Sequence, residues 1–152
     1  MIKTALALGG NLGDVAGAFK TAAQKLEAAG MININLSSFD RTTPAGCAPG
    51  SPDFLNAALT GDWPGSAEEL LSVCRKIERE SGRPAVHGIN APRTLDIDII
   101  LFGGLIINSD TLRIPHPRAA RRLFVIAPLA EIAPEMIFPD TGDKVSDILK
   151  SL

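Results

Sequence analysis

The stretch that most constrains the fold is residues 93–101, Arg-Thr-Leu-Asp-Ile-Asp-Ile-Ile-Leu. Aliphatic and β-branched residues at this density predict a strand deep in a sheet. Side chains alternate along a strand, so Asp96 and Asp98 share a face, about 6.6 Å apart along the backbone. Two bare carboxylates beside so much apolar surface would repel each other and be poorly solvated. A hard divalent cation removes both problems, and magnesium takes one or two carboxylates together with waters and phosphates. Such a pair can hold one ion between its members and a second beside it. A half-buried strand with an acidic outer face is the competing interpretation. The surroundings favour the metal. Arg93 precedes the strand, and a basic cluster follows it: Arg113, Pro115-His116-Pro117-Arg118, Arg121 and Arg122. Acid for a metal beside base for phosphate is the layout of a nucleotide phosphate site.

A chain of 152 residues is expected to form one domain, spanning 1–152, with a proper core. Apolar residues make up 45% and charged residues 21%, as in ordinary soluble globular chains. A formal net charge of −2 argues against general nucleic-acid binding, so any positive site must be local. Cys47 and Cys74 stand far apart, with no His or Cys at metal-ligand spacing. Zinc and redox motifs are therefore unsupported, and a reducing compartment is expected. No apolar run approaches the roughly 20 residues that span a bilayer. Residues 2–8 are too short for a secretory core and run straight into Gly9-Gly10-Asn11, so they are expected to form a strand. The expectation is a cytoplasmic monomer with no membrane contact.

Along the chain, Gly9 to Asp14 breaks the first strand, and Asp14 can cap the helix that follows. Val15, Ala18, Phe19, Ala22, Leu26 and Ala29 keep one helical face, and Gly30 ends it. The glycines lack the Gly-Lys-Ser/Thr of a phosphate loop and the spacing of a dinucleotide fingerprint. Residues 31–39 alternate as a second strand, and residues 41–52, rich in Pro, Gly, Thr and Ser, predict a loop. A third strand runs over 54–59, with Phe54 and Asn56 on one face. An aromatic ring beside a primary amide can stack on a flat heterocycle and read its edge, although an ordinary core Phe would give the same pattern. Ser66-Ala67-Glu68-Glu69 is a capping box, and Leu70, Leu71, Cys74 and Ile77 form the helical stripe behind it. Residues 83–92 carry His87, Gly88 and two prolines without periodicity, the expected character of a lid beside a phosphate site. Gly103-Gly104 turns the chain into a small hairpin, 105–107 with 112–114. Residues 125–129 are apolar, and Val145, Ile148, Leu149 and Leu152 make a closing helix. The order β-α-β-β-α-β predicts an α+β, ferredoxin-like fold: an antiparallel sheet with helices on one face, plus a C-terminal hairpin and helix extension.

Seven segments in this order resemble the 6-hydroxymethyl-7,8-dihydropterin pyrophosphokinases of folate synthesis. They are Gly9-Gly10-Asn11-Leu12-Gly13-Asp14; Thr42-x-Pro44-x-Gly46; Asp53-Phe54-Leu55-Asn56-Ala57-Ala58; Glu78 with Arg83; Pro92 through Asp98; Pro115-His116-Pro117-Arg118; and Arg122-x-Phe124-Val125 with Pro128 through Pro134. The resemblance implies that ATP gives its β,γ-diphosphate to the pterin's hydroxymethyl oxygen and AMP leaves. It implies two magnesium ions on Asp96 and Asp98, and catalytic arginines at Arg83 and Arg93. Further ATP contacts are implied at Glu78, Ile99, Arg113, His116 and Arg122, beside Arg93. Phe54 and Phe124 correspond to the aromatic pair around the pterin, Asn56 to the amide that reads its edge, and Thr43, Pro44 and Ala45 to backbone contacts. The chain departs from the family at Ala85 and Asn90-Ala91, where a second arginine and a Trp-Gly often stand. It departs again at Gly10, usually serine, and at Asp40, where tyrosine is expected. A weaker lid and slower turnover follow as expectations, with Arg113 or His87 as candidate replacements. Two alternatives remain: another magnesium phosphotransferase, or a relative that binds ATP and pterin with impaired catalysis.

Overall fold

A computed structural model describes residues 1–42, 53–82 and 94–152. Strands β1 (Ile2–Gly10), β2 (Ile32–Leu36), β3 (Asp40–Thr42), β4 (Phe54–Trp63) and β5 (Asp96–Phe102) form one antiparallel sheet in the order β2-β4-β1-β5, with β3 also on β4. Helices α1 (Val15–Ala28) and α2 (Ala67–Glu80) connect these strands. A hairpin, β6 (Ile107–Asn108) with β7 (Arg113–Ile114), leads to a short 3-10 turn, Ala119–Arg121. Helices α3 (Leu123–Ile132) and α4 (Val145–Ser151) close the described chain.

The start signals act as the sequence predicts. Asp14 accepts from the Gly17 N–H at 3.0 Å, satisfying an otherwise orphaned donor of the first turn of α1. Ser66 accepts from the Glu69 N–H at 3.1 Å while the Glu69 carboxylate accepts from the Ser66 N–H at 3.3 Å. Gly30, at φ 115°, takes the left-handed conformation that ends α1.

Alternation along the strands divides the core in two. Leu6, Leu8, Ala57, Leu59, Ile97 and Ile99 pack against Phe19, Ala22 and Leu26 of α1 and Leu70, Cys74 and Ile77 of α2. Ala5, Ala58, Ile100 and Leu101 pack instead against Val125, Ile126 and Leu129 of α3 and Val145 and Ile148 of α4. The expectation of helices on one face therefore describes α1 and α2, while the C-terminal extension covers part of the other face. The side chains of Ala7 and Ala58 are small, so α3 can approach that face closely.

Three local differences from the sequence reading have physical causes. Residues 40–42 are a strand and not the start of a loop, paired as Asp40↔Asn56, Arg41↔Leu55 and Thr42↔Phe54. The strand β4 continues past Leu59 to Trp63, long enough to pair with β3 and β2 in turn. In β2 the expected alternation breaks, because Asn33 has φ 54° and the register shifts between Ile32 and Asn35. Such a bulge re-aims the side chains around it, and Ile32 is exposed.

Candidate active site

The strand register builds the site. Asp98 stands opposite Ala7, and Asp96 opposite Gly9. On the other side of β1, Ala7 pairs with Ala58 and Gly9 with Asn56. One row therefore runs Asp96, Gly9, Asn56, Asp40 across four strands. Asp96, Asp98, Phe54 and Asn56 share the α3 face by alternation, with the buried Ile97 turned the other way into the α1/α2 core. Two strand spacings put Asp96 about 10 Å from Asn56. Between them lies Gly9, which has no side chain to stand in the way of a flat ligand.

Asn56 is buried, and its amide nitrogen donates to Thr42 Oγ1 at 2.9 Å and to the Asp40 carbonyl at 3.5 Å. These bonds fix the plane of the amide and turn its oxygen over Gly9, where a Cβ would meet it at 3.5 Å. A fixed acceptor over a glycine can receive a hydrogen bond from the edge of a ring. Phe54 is half-buried on β4, and Phe124 is exposed at the start of α3. The Arg122 guanidinium lies 5.5 Å from the centroid of the Phe124 ring, a cation–π arrangement.

Asp98 carries the electrostatic burden. Burial first, then the Asp96 charge and that of Glu78, push its carboxyl up to about 6, against the opposing pull of Arg75 and Arg122. Among the described residues no three His, Cys, Asp or Glu side chains converge on a metal position. Magnesium needs fewer, because it keeps waters and accepts phosphate oxygens. Two same-face carboxylates, one of them held in an unfavourable ionised state, therefore fit such an ion, which would favour the charged form of both.

His116 follows β7, with its N–H donating to the Ile100 carbonyl at 3.2 Å. Burial, then Arg122 and Arg118, lower its pKa, opposed by Asp96. The ring is thus neutral at pH 7. Its Nδ1 accepts from the Arg118 N–H at 3.3 Å, which leaves the proton on Nε2 as a donor for an anion. Arg113 is exposed on β7, which packs beside β5. Ile99 points its side chain into the α1/α2 core, so on the carboxylate side it offers only peptide groups. Glu78 is almost wholly buried under β5, with both carboxylate oxygens bonded to Arg75 and one also to the Ile97 N–H. Thr43, Pro44, Ala45, Arg83 and Arg93 lie outside the described residues, as do Ala85, His87, Asn90 and Ala91.

Arg75 is the participant that the sequence reading missed. It bonds Glu78 and the Ile97 carbonyl, and its charge acts on both Asp98 and Asp96. The Arg-x-x-Glu spacing on a helix was the available signal, but nothing in it tells which strand lies beneath. Cys74 is buried on the same helix, and burial pushes its thiol up to about 12. It is therefore inert as a nucleophile.

An antiparallel split βαβ sheet with an acid pair on one face and basic side chains around it defines a domain of the ferredoxin-like α+β class. Comparison with known proteins narrows this. The family 7,8-dihydro-6-hydroxymethylpterin-pyrophosphokinase (HPPK) matches residues 5–134, and the chain belongs to that family. It is 35% identical over 152 residues to a 2-amino-4-hydroxy-6-hydroxymethyldihydropteridine pyrophosphokinase of Methylorubrum extorquens, covering 100% of this chain and 94% of that one. It is 39% identical over 137 residues to a mitochondrial folate synthesis bifunctional protein of Arabidopsis thaliana, covering 90% of this chain and 24% of that one. The chain thus spans about a quarter of the length of such plant relatives. Among solved structures, Plasmodium falciparum HPPK-DHPS with pteroate superposes with a TM-score of 0.75 at 13% identity, over 99% of this chain and 44% of that one. That likeness shows the fold.

Proposed function

We propose that this chain transfers the β,γ-diphosphate of ATP to the hydroxymethyl group of 6-hydroxymethyl-7,8-dihydropterin, releasing AMP. Pyrophosphokinase activity in folate synthesis is the activity of the family to which the chain belongs, and ATP is the family's co-substrate. The observation that carries the reading is the register that sets Asp96 and Asp98 on one face with Asn56, with Gly9 between Asp96 and Asn56.

In this reading the hydroxymethyl oxygen attacks the β-phosphorus in line, the bond to the α-phosphate oxygen breaks, and AMP departs with that oxygen. The hydroxyl proton passes to solvent. Two magnesium ions on Asp96 and Asp98 would screen the phosphate charge and lower the pKa of the attacking hydroxyl. The residues of the chain supply position. Phe54 and Phe124 stack on the pterin, and the Asn56 oxygen accepts from its edge, with backbone groups of Thr43, Pro44 and Ala45 beside it. His116 donates from Nε2, and Arg122, Arg113, Arg83 and Arg93 supply cationic donors to phosphate oxygens. Arg122 already lies over Phe124, so one side chain borders both substrates. Ile99 offers its peptide group, and Glu78 acts through Arg75 and Ile97. The chain works as a single domain and a monomer in the cytoplasm. Among the described residues no helix is long and apolar enough to cross a membrane.

The test is purified chain with ATP, magnesium and 6-hydroxymethyl-7,8-dihydropterin. AMP and the pterin diphosphate should appear in equal amounts and vanish with Asp96→Asn, while that variant keeps its circular-dichroism spectrum. Release of ADP would identify a different phosphotransferase. ATP binding without AMP would identify a relative that has lost catalysis.

A further inference from the structure

Strand β5 pairs with β1 on one side only among the described residues. An open strand edge leaves donors and acceptors that need partners. At Ile97 they come from α2. The Ile97 N–H donates to Glu78 Oε2 at 2.7 Å, and Arg75 Nη1 donates to the Ile97 carbonyl at 3.1 Å. Arg75 Nη1 also donates to both Glu78 oxygens, at 2.9 Å each. One acceptor and one donor, tied to each other, thus take the place at this point of a second neighbouring strand, which β5 does not have among the described residues.

The position of this clamp gives it meaning. The Ile97 N–H belongs to the peptide unit that follows Asp96, and the Ile97 carbonyl to the unit that precedes Asp98. Fixing both units fixes φ and ψ of Ile97, and with them the relative placement of the Asp96 and Asp98 Cα atoms from which the two carboxylate side chains leave the strand. Sealing an edge needs a donor and an acceptor but no buried charge, since neutral side chains can partner both peptide groups. Here Glu78 is buried at 3% exposure, and burial raises its pKa against the pull of the Ile97 N–H and Arg75. A costly pair at the one residue between two carboxylates suits placement better than stability.

We propose that Arg75 and Glu78 form a positioning unit for diphosphate transfer, which aims Asp96 and Asp98 at the metal by clamping both peptide groups of Ile97. The proposal rests on the reading that this acid pair holds magnesium.

Manganese binding to the substrate-free chain, followed by electron paramagnetic resonance, separates the possibilities by sign. Arg75→Gln removes a positive charge near the carboxylates. If only charge mattered, manganese would bind more tightly. Loss of the clamp instead predicts binding weakened about tenfold or more, the usual consequence of losing an outer-shell partner. It also predicts a comparable fall in kcat with KM for ATP nearly unchanged. Glu78→Gln keeps an acceptor for the Ile97 N–H and should bind manganese better than Glu78→Ala, although both lose the same charge. Arg75 is half-exposed, so Arg75→Gln keeps the test open if Glu78→Ala fails to fold. Wild-type affinity in Arg75→Gln, or equal affinities in the two Glu78 variants, overturns the positioning role. Failure of the wild-type chain itself to bind manganese overturns instead the reading of the acid pair.

Discussion

Replacing Asp98 by asparagine should make the metal-free chain more stable while abolishing its chemistry. The Asp98 carboxyl stands at about 6 in the fold against 3.8 for a free aspartate. At about 1.36 kcal/mol per pH unit that difference is worth about 3 kcal/mol. Its sign follows from linkage. A raised folded pKa means that the fold binds the proton more tightly than the unfolded chain does. The associated stability is fully present below 3.8 and is lost as pH rises through about 6. At pH 8 the wild-type chain therefore carries an ionised, half-desolvated Asp98 that asparagine would not. For a chain of this size, about 3 kcal/mol corresponds to a rise in Tm of roughly 6 to 12 °C. Calorimetric scans in a chelating buffer at pH 8 and at successively lower pH would read it. The gain should shrink through pH 6 and be nearly gone near 3.8. A variant no more stable than wild type at pH 8, or a gain that ignores pH, would refute the reasoning. Function and stability oppose each other at this residue, as expected where a site is built to receive a cation.

Gly9→Ala should leave Tm almost unchanged, since its Cβ meets only ordinary contacts, the nearest being Asn56 Oδ1 at 3.5 Å. It should nevertheless raise the KM for the pterin by occupying the space beside Asn56; an unchanged KM would remove Gly9 from the site. Gly10→Ser restores the residue common in the family, yet its Cβ would run into the Thr94 carbonyl. Denaturant unfolding should show a loss of about 1–3 kcal/mol, as for other overpacked sites, and wild-type stability would show that Thr94 yields freely. The chain carrying Ala85→Arg, Asn90→Trp and Ala91→Gly should turn over faster than wild type under saturating substrates. Equal rates would show that the departures in that segment are harmless.

Legibility in the sequence followed the range of the interactions. Strand β5, the Asp14 cap and the Ser66 capping box are written in neighbouring residues and stand where the pattern places them. The same-face placement of Asp96 with Asp98, and of Phe54 with Asn56, needs only the alternation of a strand. What was hidden depends on partners distant in sequence. Asp40–Thr42 has no apolar period of its own and becomes a strand because β4 offers it an edge. Helix α3 is apolar along much of its length and contains Pro128, so periodicity could not separate it from a buried strand. Arg75 looks like a solvated helix residue until β5 is laid beside it. The departure at Ile32 comes from one left-handed residue, Asn33, that no hydrophobic pattern reveals.

On the proposed reading, one sheet face gathers the metal, the polyphosphate and the pterin. Crystals grown with manganese, an ATP analogue resistant to α,β cleavage and 6-hydroxymethylpterin put this to the test. Anomalous scattering should show two ions at Asp96 and Asp98, with the pterin between Phe54 and Phe124 and its edge on Asn56. Ions bound elsewhere, or a pterin lodged away from β4, would show that this face does not hold both substrates.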